Sequence, residues 1–531
     1  MATDASGNVY LAGVFRGTVQ FGSTTLTNTG STSELYLAKW SSSTNSFVWA
    51  QRLAGGGTSA FLTVNSMAVQ GTGIYLAGSF NSTIDFGSAS LVSAGDGDGF
   101  IAKLTDTGTN ASFTWAQQAG GPTEDDARAL VVNGASVYVA GSFSGATARF
   151  GSVQLSSAGS QDMYVAKLSD AGTSSNYVWA LRAGGVADDF AQAVAVQGTS
   201  VYVAGSTTSP TASFGGSTLA NAGLSDVVVA KLSDAGTSAS FVWAQGAGGP
   251  SNDRAVAMSV NGPNVYVAGT FESSTASFGS ATLTNATPVG SQATDLFVTK
   301  LTDAGTTGSF TWARQAGGPS NDFVNSMALN GSYVYLAGNF SSDKISFGNS
   351  ILTNVGYNGI NPDVFVSKLT DAGATGTFAW AQQAGGSNSD QANEVAVSNT
   401  SVYVAGLLQP PANFGNYTIS GLSSTSSVAY LAYLPEVITL ATTSPTWLEG
   451  VSVFPNPAHI KATVLVPAVP GATSATLTVL DALGRSVRTQ IAAISASDRQ
   501  VELDLTGLPA GLYAVRLTSG SRTDTRRLVV E

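Results

Sequence analysis

The chain has 531 residues, of which 10% are charged and 43% hydrophobic, with 61 glycines. That make-up fits a turn-rich β protein of several domains or repeats, and it excludes disorder and long charged helices. The net charge of −11 and the lack of cysteine exclude a nucleic-acid footprint, disulfides and thiolate metal sites.

The acidity is uneven. From Glu449 onward eight Lys/Arg stand against seven Asp/Glu, so the preceding part carries 14 against 26. An acidic body of this kind is repelled by anionic lipid. No apolar run approaches the ~20 residues a spanning helix needs. The first residues contain neither the basic nor the apolar segment of a signal peptide. Met1 to Asn8 aligns with the second half of the strand that precedes each later repeat, so the natural chain is expected to extend upstream.

An apolar segment built on a tyrosine and ending in Ala-Gly occurs seven times, at Tyr10, Tyr75, Tyr138, Tyr202, Tyr266, Tyr335 and Tyr403. A Phe-Gly pair follows each, beginning at Phe21, Phe86, Phe150, Phe214, Phe278, Phe347 and Phe414. The period of 63 to 69 residues means one structural unit, repeated.

One copy illustrates the unit. Ala257 to Val260 reads as a strand, Asn261-Gly262-Pro263-Asn264 as a turn, and Val265 to Gly269 as a second strand that is apolar throughout. Phe278-Gly279 and Leu283 sit in a hairpin-like insertion; Leu296 to Leu301 is a third strand and Phe310 to Ala313 a fourth. An unbroken apolar strand has both faces covered, so each four-stranded sheet must lie between two similar ones. Radial stacking provides that and protects the edges. The predicted fold is therefore all-β: a seven-bladed β-propeller of four-stranded antiparallel blades over residues 1–440, with an open solenoid as the alternative. The seventh unit has no Trp-Ala strand after Val428 to Leu434, so Val437 to Ala441 or a strand from upstream is expected to complete it.

Residues 441–449 read as a linker. Alternating strands then follow at Ala462 to Val466, Ala475 to Leu480, Val501 to Leu505, Gly511 to Leu517 and Arg526 to Val530. They predict a small Ig-like β-sandwich over residues 450–531.

Two resemblances stand beside this reading. The segments Phe454-Pro455-Asn456-Pro457-Ala458, Val479 to Arg485 (with Gly484), Leu508 to Leu517 (with Gly511 and Tyr513) and Arg526 to Val530 occur in order at the chain's end. Together they resemble the type A sorting domain of the type IX secretion system of Bacteroidetes. The resemblance implies export across the outer membrane by that machinery, and a secreted or cell-surface protein. Asp4 to Gly13 and Asp162 to Leu168 are similar to the bacterial SBBP-type β-propeller repeat, which implies a fold and no fixed activity.

Thirteen residues before five of the tyrosines stands an aspartate: Asp125, Asp189, Asp253, Asp322 and Asp390. The functional reading is a ring at the channel mouth that binds a hard cation such as calcium, or a sugar. The scaffolding reading, which a once-per-repeat residue favours, is a carboxylate capping backbone amides in a turn. A second series, Asp98, Asp162, Asp226, Asp295 and Asp363, precedes the third strand, and Lys103, Lys167, Lys231, Lys300 and Lys368 close it; both are expected to be solvated strand ends or weak inter-blade pairs. Gly95 to Gly99 has too few acids for a calcium loop. Positions that differ between repeats are better site candidates, namely Glu124, Asp126, Arg128, Arg254 and Phe323. No histidine or cysteine precedes His459, which excludes histidine triads from the repeats. The expected function is a non-catalytic binding scaffold for a glycan or protein ligand, needing no cofactor; a carboxylate hydrolase near Asp125 and Asp189 and a purely structural surface protein are the alternatives.

Overall fold

The computed structural model describes residues 1–30, 32–55, 61–87, 89–287, 293–356, 360–398, 401–420, 427–435, 451–466, 474–481, 486–493, 499–519 and 522–531. They are all-β, with no helix among them, and form two compact units, Met1–Glu436 and Val437–Glu531. The linker 441–449 and the expected strand Val437 to Ala441 lie outside the described residues.

The first unit is a succession of similar antiparallel sheets. In the fifth, Asp253–Asn261, Asn264–Phe271, Asp295–Asp303 and Gly308–Ala316 are hydrogen-bonded in that order. The first strand is longer than its apolar core suggested because it starts at the aspartate and absorbs a bulge between Ala255 and Ala257. In the second to sixth sheets the second strand is buried nearly throughout, as its unbroken apolar run requires. Between second and third strands, the Phe-Gly segment forms its own hairpin, Thr275–Phe278 with Ala281–Thr284 in the fifth sheet. Gly279 turns it at φ +62°, a left-handed conformation that glycine adopts without steric cost.

Neighbouring sheets share cores. Tyr202 and Trp243 of the fourth sheet pack with Val265, Phe271 and Phe278 of the fifth. The first strands also lie side by side: Ala2–Thr3 of the first sheet touches both Leu62–Gln70 of the second and Gln391–Ser398 of the seventh. The seventh sheet has three strands among the described residues, Gln391–Ser398, Ser401–Leu408 and Val428–Pro435. Its Tyr403 meets Trp40 of the first sheet edge-on, ring centroids 5.7 Å apart.

The second unit has two sheets. Ser452–Phe454, Lys461–Val466 and Arg499–Asp504 form one; Ser486–Ala493, Ser474–Leu480, Gly511–Ser519 and Arg522–Val530 form the other. Val464, Val501 and Leu503 of one share a core with Leu477, Val515 and Leu528 of the other. Ser486–Ala493 escaped the sequence reading because its alternation is weak and it is the outer strand of its sheet.

Candidate functional site

The five repeated aspartates sit where one sheet hands over to the next. Each is buried and follows a Gly-Gly turn by four residues, so its carboxylate folds back onto that turn. Asp125 Oδ2 accepts the Gly121 N–H at 2.6 Å and its Oδ1 accepts the Ser144 N–H at 3.0 Å. Asp189 accepts from Gly185 N–H at 2.6 Å, from the Ser209 hydroxyl at 2.8 Å and from the Thr207 hydroxyl. Asp253 accepts from Gly249 N–H and the Ser273 hydroxyl, both at 2.7 Å. Asp322 accepts from the Ser342 hydroxyl at 2.8 Å, and Asp390 from Gly386 N–H at 2.8 Å and Gln409 N–H at 3.0 Å. This is the geometry of a turn brace. Among the described residues no three His, Asp or Glu come together as a metal site would require.

The second aspartate series is neither solvated nor paired with the lysines. Asp98, Asp162, Asp295 and Asp363 are fully buried and Asp226 nearly so. Each lies against the same Gly-Gly turn from the other side, beside the first series. Burial lifts Asp125 and Asp295 to about 7, and Asp226 and Asp363 to about 6, the facing carboxylate adding to the effect. Burial alone carries Asp322 and Asp390 to about 6.

Lys39, Lys103, Lys167, Lys231 and Lys300 reach the next sheet instead, while Lys368 lies over Tyr333 of its own sheet. Lys103 Nζ is 2.6 Å from Asp170 Oδ2, which also accepts the Tyr75 hydroxyl at 2.7 Å. Trp115 Nε1 donates to the other oxygen at 3.0 Å. The same set recurs at Asp234 with Lys167, Tyr138 and Trp179, at Asp303 with Lys231, Tyr202 and Trp243, and at Asp371 with Lys300, Tyr266 and Trp312. Asp106 takes Lys39 and Tyr10. Burial alone would raise Asp170, but the lysine, tyrosine and tryptophan donors outweigh it and hold the carboxyl below its ordinary value. These aspartates went unrecognised as partners because Lys103 and Asp170 are 67 residues apart; the recurring Asp-Ala-Gly turn was the signal that was there to find.

The positions that differ between sheets have a different setting. The residue after each buried aspartate points the opposite way along the strand. These residues are Asp126, Phe190, Arg254, Phe323 and Gln391, with Thr63 in the second sheet. Arg254, Phe323 and Gln391 are exposed, and the others half-buried. Asp126 accepts from Arg128 Nε at 2.7 Å, and the Arg128 guanidinium stacks over the Phe190 ring at 5.2 Å, bridging the third sheet to the fourth. Glu124 is exposed in the loop ahead of them. Sequence reading picked out Asp126, Arg128, Arg254 and Phe323 but missed Phe190 and Gln391, which only the shared register with Arg254 reveals.

In the carboxy-terminal unit two motif side chains, Asn456 and Tyr513, bond to the backbone. Asn456, between Pro455 and Pro457, donates to the Arg527 carbonyl at 2.8 Å and accepts the Val529 N–H at 2.8 Å, tying the opening segment to the last strand. The Tyr513 hydroxyl donates to the Pro509 carbonyl at 2.9 Å, and Gly511 opens the strand between them. Gly484 lies outside the described residues.

No curated protein matches the chain. Among solved structures it is similar to dimeric latent PorU from Porphyromonas gingivalis, at 10% identity and TM-score 0.13, covering 64% of this chain and 32% of that one. The chain thus spans about a third of the length of PorU. It is also similar to a glycoside hydrolase of family 32 from Bifidobacterium adolescentis, at 10% identity and TM-score 0.25, covering 100% of this chain and 95% of that one. No helix among the described residues is long and apolar enough to cross a membrane. Residues 452–531 match the family of secretion system C-terminal sorting domains, which marks the protein as a secreted or cell-surface one.

Proposed function

We propose that the repeats form a closed seven-bladed β-propeller, of the SBBP type that Asp4 to Gly13 resembles, and that it serves outside the cell as a non-catalytic binding scaffold for a glycan or protein ligand. The carboxy-terminal sheets are its Ig-like sorting domain, recognised by the type IX machinery. Closure is supported by the contacts of Ala2–Thr3 with both Leu62–Gln70 and Gln391–Ser398, and by Tyr403 against Trp40.

The observation that carries the binding reading is a division of labour along each first strand. The repeated aspartate is buried and engaged by amides, while the residue after it varies and, as Arg254, Phe323 and Gln391, is exposed. Exposed arginine and phenylalanine at equivalent places of successive sheets, Arg254 and Phe323, offer charge and a flat apolar face, chemistry suited to sugars and to peptide side chains. The carboxylates a hydrolase would have used, Asp125 and Asp189, are buried and accept turn amides.

The test is a glycan and surface-protein binding screen with the full chain, the Arg254→Ala variant and the Phe323→Ala variant, beside a glycoside turnover screen with Asp125→Asn. Binding weakened at least ~10-fold by either substitution supports the scaffold. Turnover abolished by Asp125→Asn would establish the hydrolase instead, and a chain with neither ligand nor turnover would leave the purely structural role.

A further inference from the structure

Each turn that joins the second to sixth sheets to their successors holds two buried carboxyl groups, and one oxygen lacks a partner. That oxygen is Oδ1 of Asp98, Asp162, Asp226, Asp295 and Asp363. These side chains are at most 5% exposed. Their Oδ2 atoms are satisfied, by Ala94 N–H at 2.6 Å, Ala222 N–H at 2.5 Å, Ala286 N–H at 2.7 Å and Val355 N–H at 2.7 Å for Asp98, Asp226, Asp295 and Asp363. A buried Oδ1 with no hydrogen-bond partner of its own recurs five times at one place in the repeat, beside turn amides (Gly249, Gly318 and Gly386) that also lie against Asp226, Asp295 and Asp363.

The orphan oxygen and an oxygen of the neighbouring aspartate border the same glycine at Gly120, Gly248 and Gly385, and Asp295 and Asp322 share the Gly318 N–H. A β-carbon on Gly120 would lie 2.2 Å from Asp98 Oδ1 and 2.7 Å from Asp125 Oδ2. On Gly248 it would lie 2.2 Å from Asp226 Oδ1 and 2.9 Å from Asp253 Oδ2, and on Gly385 2.4 Å from Asp363 Oδ1 and 2.9 Å from Asp390 Oδ2. Two carboxylates so close and so buried resist ionising together. Oδ2 of the second aspartate already accepts an amide or hydroxyl hydrogen, whereas Oδ1 of the first has no partner, so the hydrogen that would join them belongs on that Oδ1.

We propose that Asp98–Asp125, Asp226–Asp253, Asp295–Asp322 and Asp363–Asp390 are proton-binding sites, each holding one proton on Oδ1 of the first aspartate, donated to Oδ2 of the second. The proton is taken from solvent as the sheets dock and returns to solvent when the site deprotonates, so acid tightens the junctions. Asp162–Asp189 is the exception, because Arg182 Nη1 stands 3.1 Å from Asp162 Oδ2 and supplies positive charge directly. The titratable and charged groups facing the other pairs are Asp126, its partner Arg128 and Tyr164 beside Asp125, and Tyr430 beside Asp390. Gln383 donates to Asp363 and is neutral.

The sign follows from linkage. Burial raises Asp98, and carries Asp226 and Asp363 to about 6 and Asp295 to about 7, above the unfolded value of ~3.9, so their contribution is complete below about that pH and is lost as pH rises through about 6 to 7.

The test replaces Asp98, Asp226, Asp295 and Asp363 together by asparagine in the full chain. Each amide oxygen keeps the backbone bond while its NH2 occupies the proton's place. Between about pH 5.5 and about pH 8 the wild-type Tm should fall by ~3 °C or more, and that of the variant by less than half as much. The infrared carbonyl band of protonated carboxyl groups should be present in the wild type at the lower pH and missing from the variant. Asp125→Asn, which sets an NH2 against the Gly121 N–H, should lower Tm at both pH values. Should the fourfold variant fail to fold, Asp226→Asn alone carries the comparison, since Gly246 places no side chain beside that pair. An unchanged pH slope in the asparagine variants, or no protonated band in the wild type, overturns the proposal. So does calcium chloride restoring the acid-state Tm at the higher pH, which would make the pair a cation site.

Discussion

Lys167 of the third sheet is bonded to Asp234 of the fourth, Nζ to Oδ2, at 2.6 Å, with the lysine side chain 10% exposed and the aspartate 5%. The contact closes 67 residues of chain and recurs at each junction from the first sheet to the sixth. Surface pairs of this chemistry contribute little, but breaking a buried one strands a charge and costs about 3–5 kcal/mol.

Lys167→Met should therefore lower the unfolding midpoint in urea markedly, and Lys167→Met combined with Asp234→Leu should recover part of the loss, because no charge is then stranded. Urea titration followed by tryptophan fluorescence measures both. A single variant as stable as the wild type would show the pair to be energetically idle.

The acid limb of stability should come from these same aspartates. Asp106, Asp170, Asp234, Asp303 and Asp371 all lie below their ordinary pKa in the folded state, because the lysine, tyrosine and backbone donors outweigh the effect of burial. Their stabilisation is present above the unfolded pKa of ~3.9 and is lost as pH falls through and below it. Thermal melts from about pH 5 down to about pH 2.5 should show a steep fall in Tm, shallower in Asp234→Asn than in wild type. Parallel slopes for the two proteins would contradict this.

The Gly-Gly turns give a contrast between two glycines. Gly184 has φ +141°, and a β-carbon there would sit 2.1 Å from Asp162 Oδ1, whereas Gly134 has φ +59° with nothing within 4 Å. Gly134→Ala carries only the backbone penalty of about 1 kcal/mol, while Gly184→Ala also forces the buried carboxylates apart. Melting temperatures should rank wild type above Gly134→Ala, and Gly134→Ala well above Gly184→Ala. Equal losses at the two positions would show that the buried acids play no part.

The junction of the seventh and first sheets departs from the pattern. In register with Tyr403 stands Tyr433 where the other sheets have lysine, and Ser42 occupies the aspartate's place after Lys39. Aromatic contacts take over, Tyr403 with Tyr433 at 5.6 Å and with Trp40 at 5.7 Å. Without the charged donor set this seam should open first. Hydrogen exchange should be faster in Val9–Phe15 and Ser401–Leu408 than in Ser200–Thr207. Uniform protection across the three strands would show the aromatic seam to be as firm as the ionic ones.

The strands, the turns and the repeat unit were legible in the sequence because they depend on neighbours along the chain. Val265 to Gly269 is apolar at every position and turns out buried, and Gly279 marks its hairpin by the φ that glycine alone adopts freely. The carboxy-terminal motif was legible for the same reason, as a run of residues in fixed order. The roles of the charged residues were not. Lys103 and Asp98 stand five residues apart at the two ends of one segment and read as solvated strand ends or weak inter-blade pairs, yet both are engaged at buried turns, Lys103 with Asp170 and Asp98 against Gly120.

What the sequence by itself determined is the period, the four-strand plan and the domain that sends the protein outside, all written in local spacing and hydrophobic pattern. Only the tertiary structure decided which carboxylates bind lysine, which face each other, and which variable side chains reach solvent. Those outcomes turn on contacts between sheets some 65 residues apart, where burial multiplies the strength of a charge and its sign of influence depends on the group it meets.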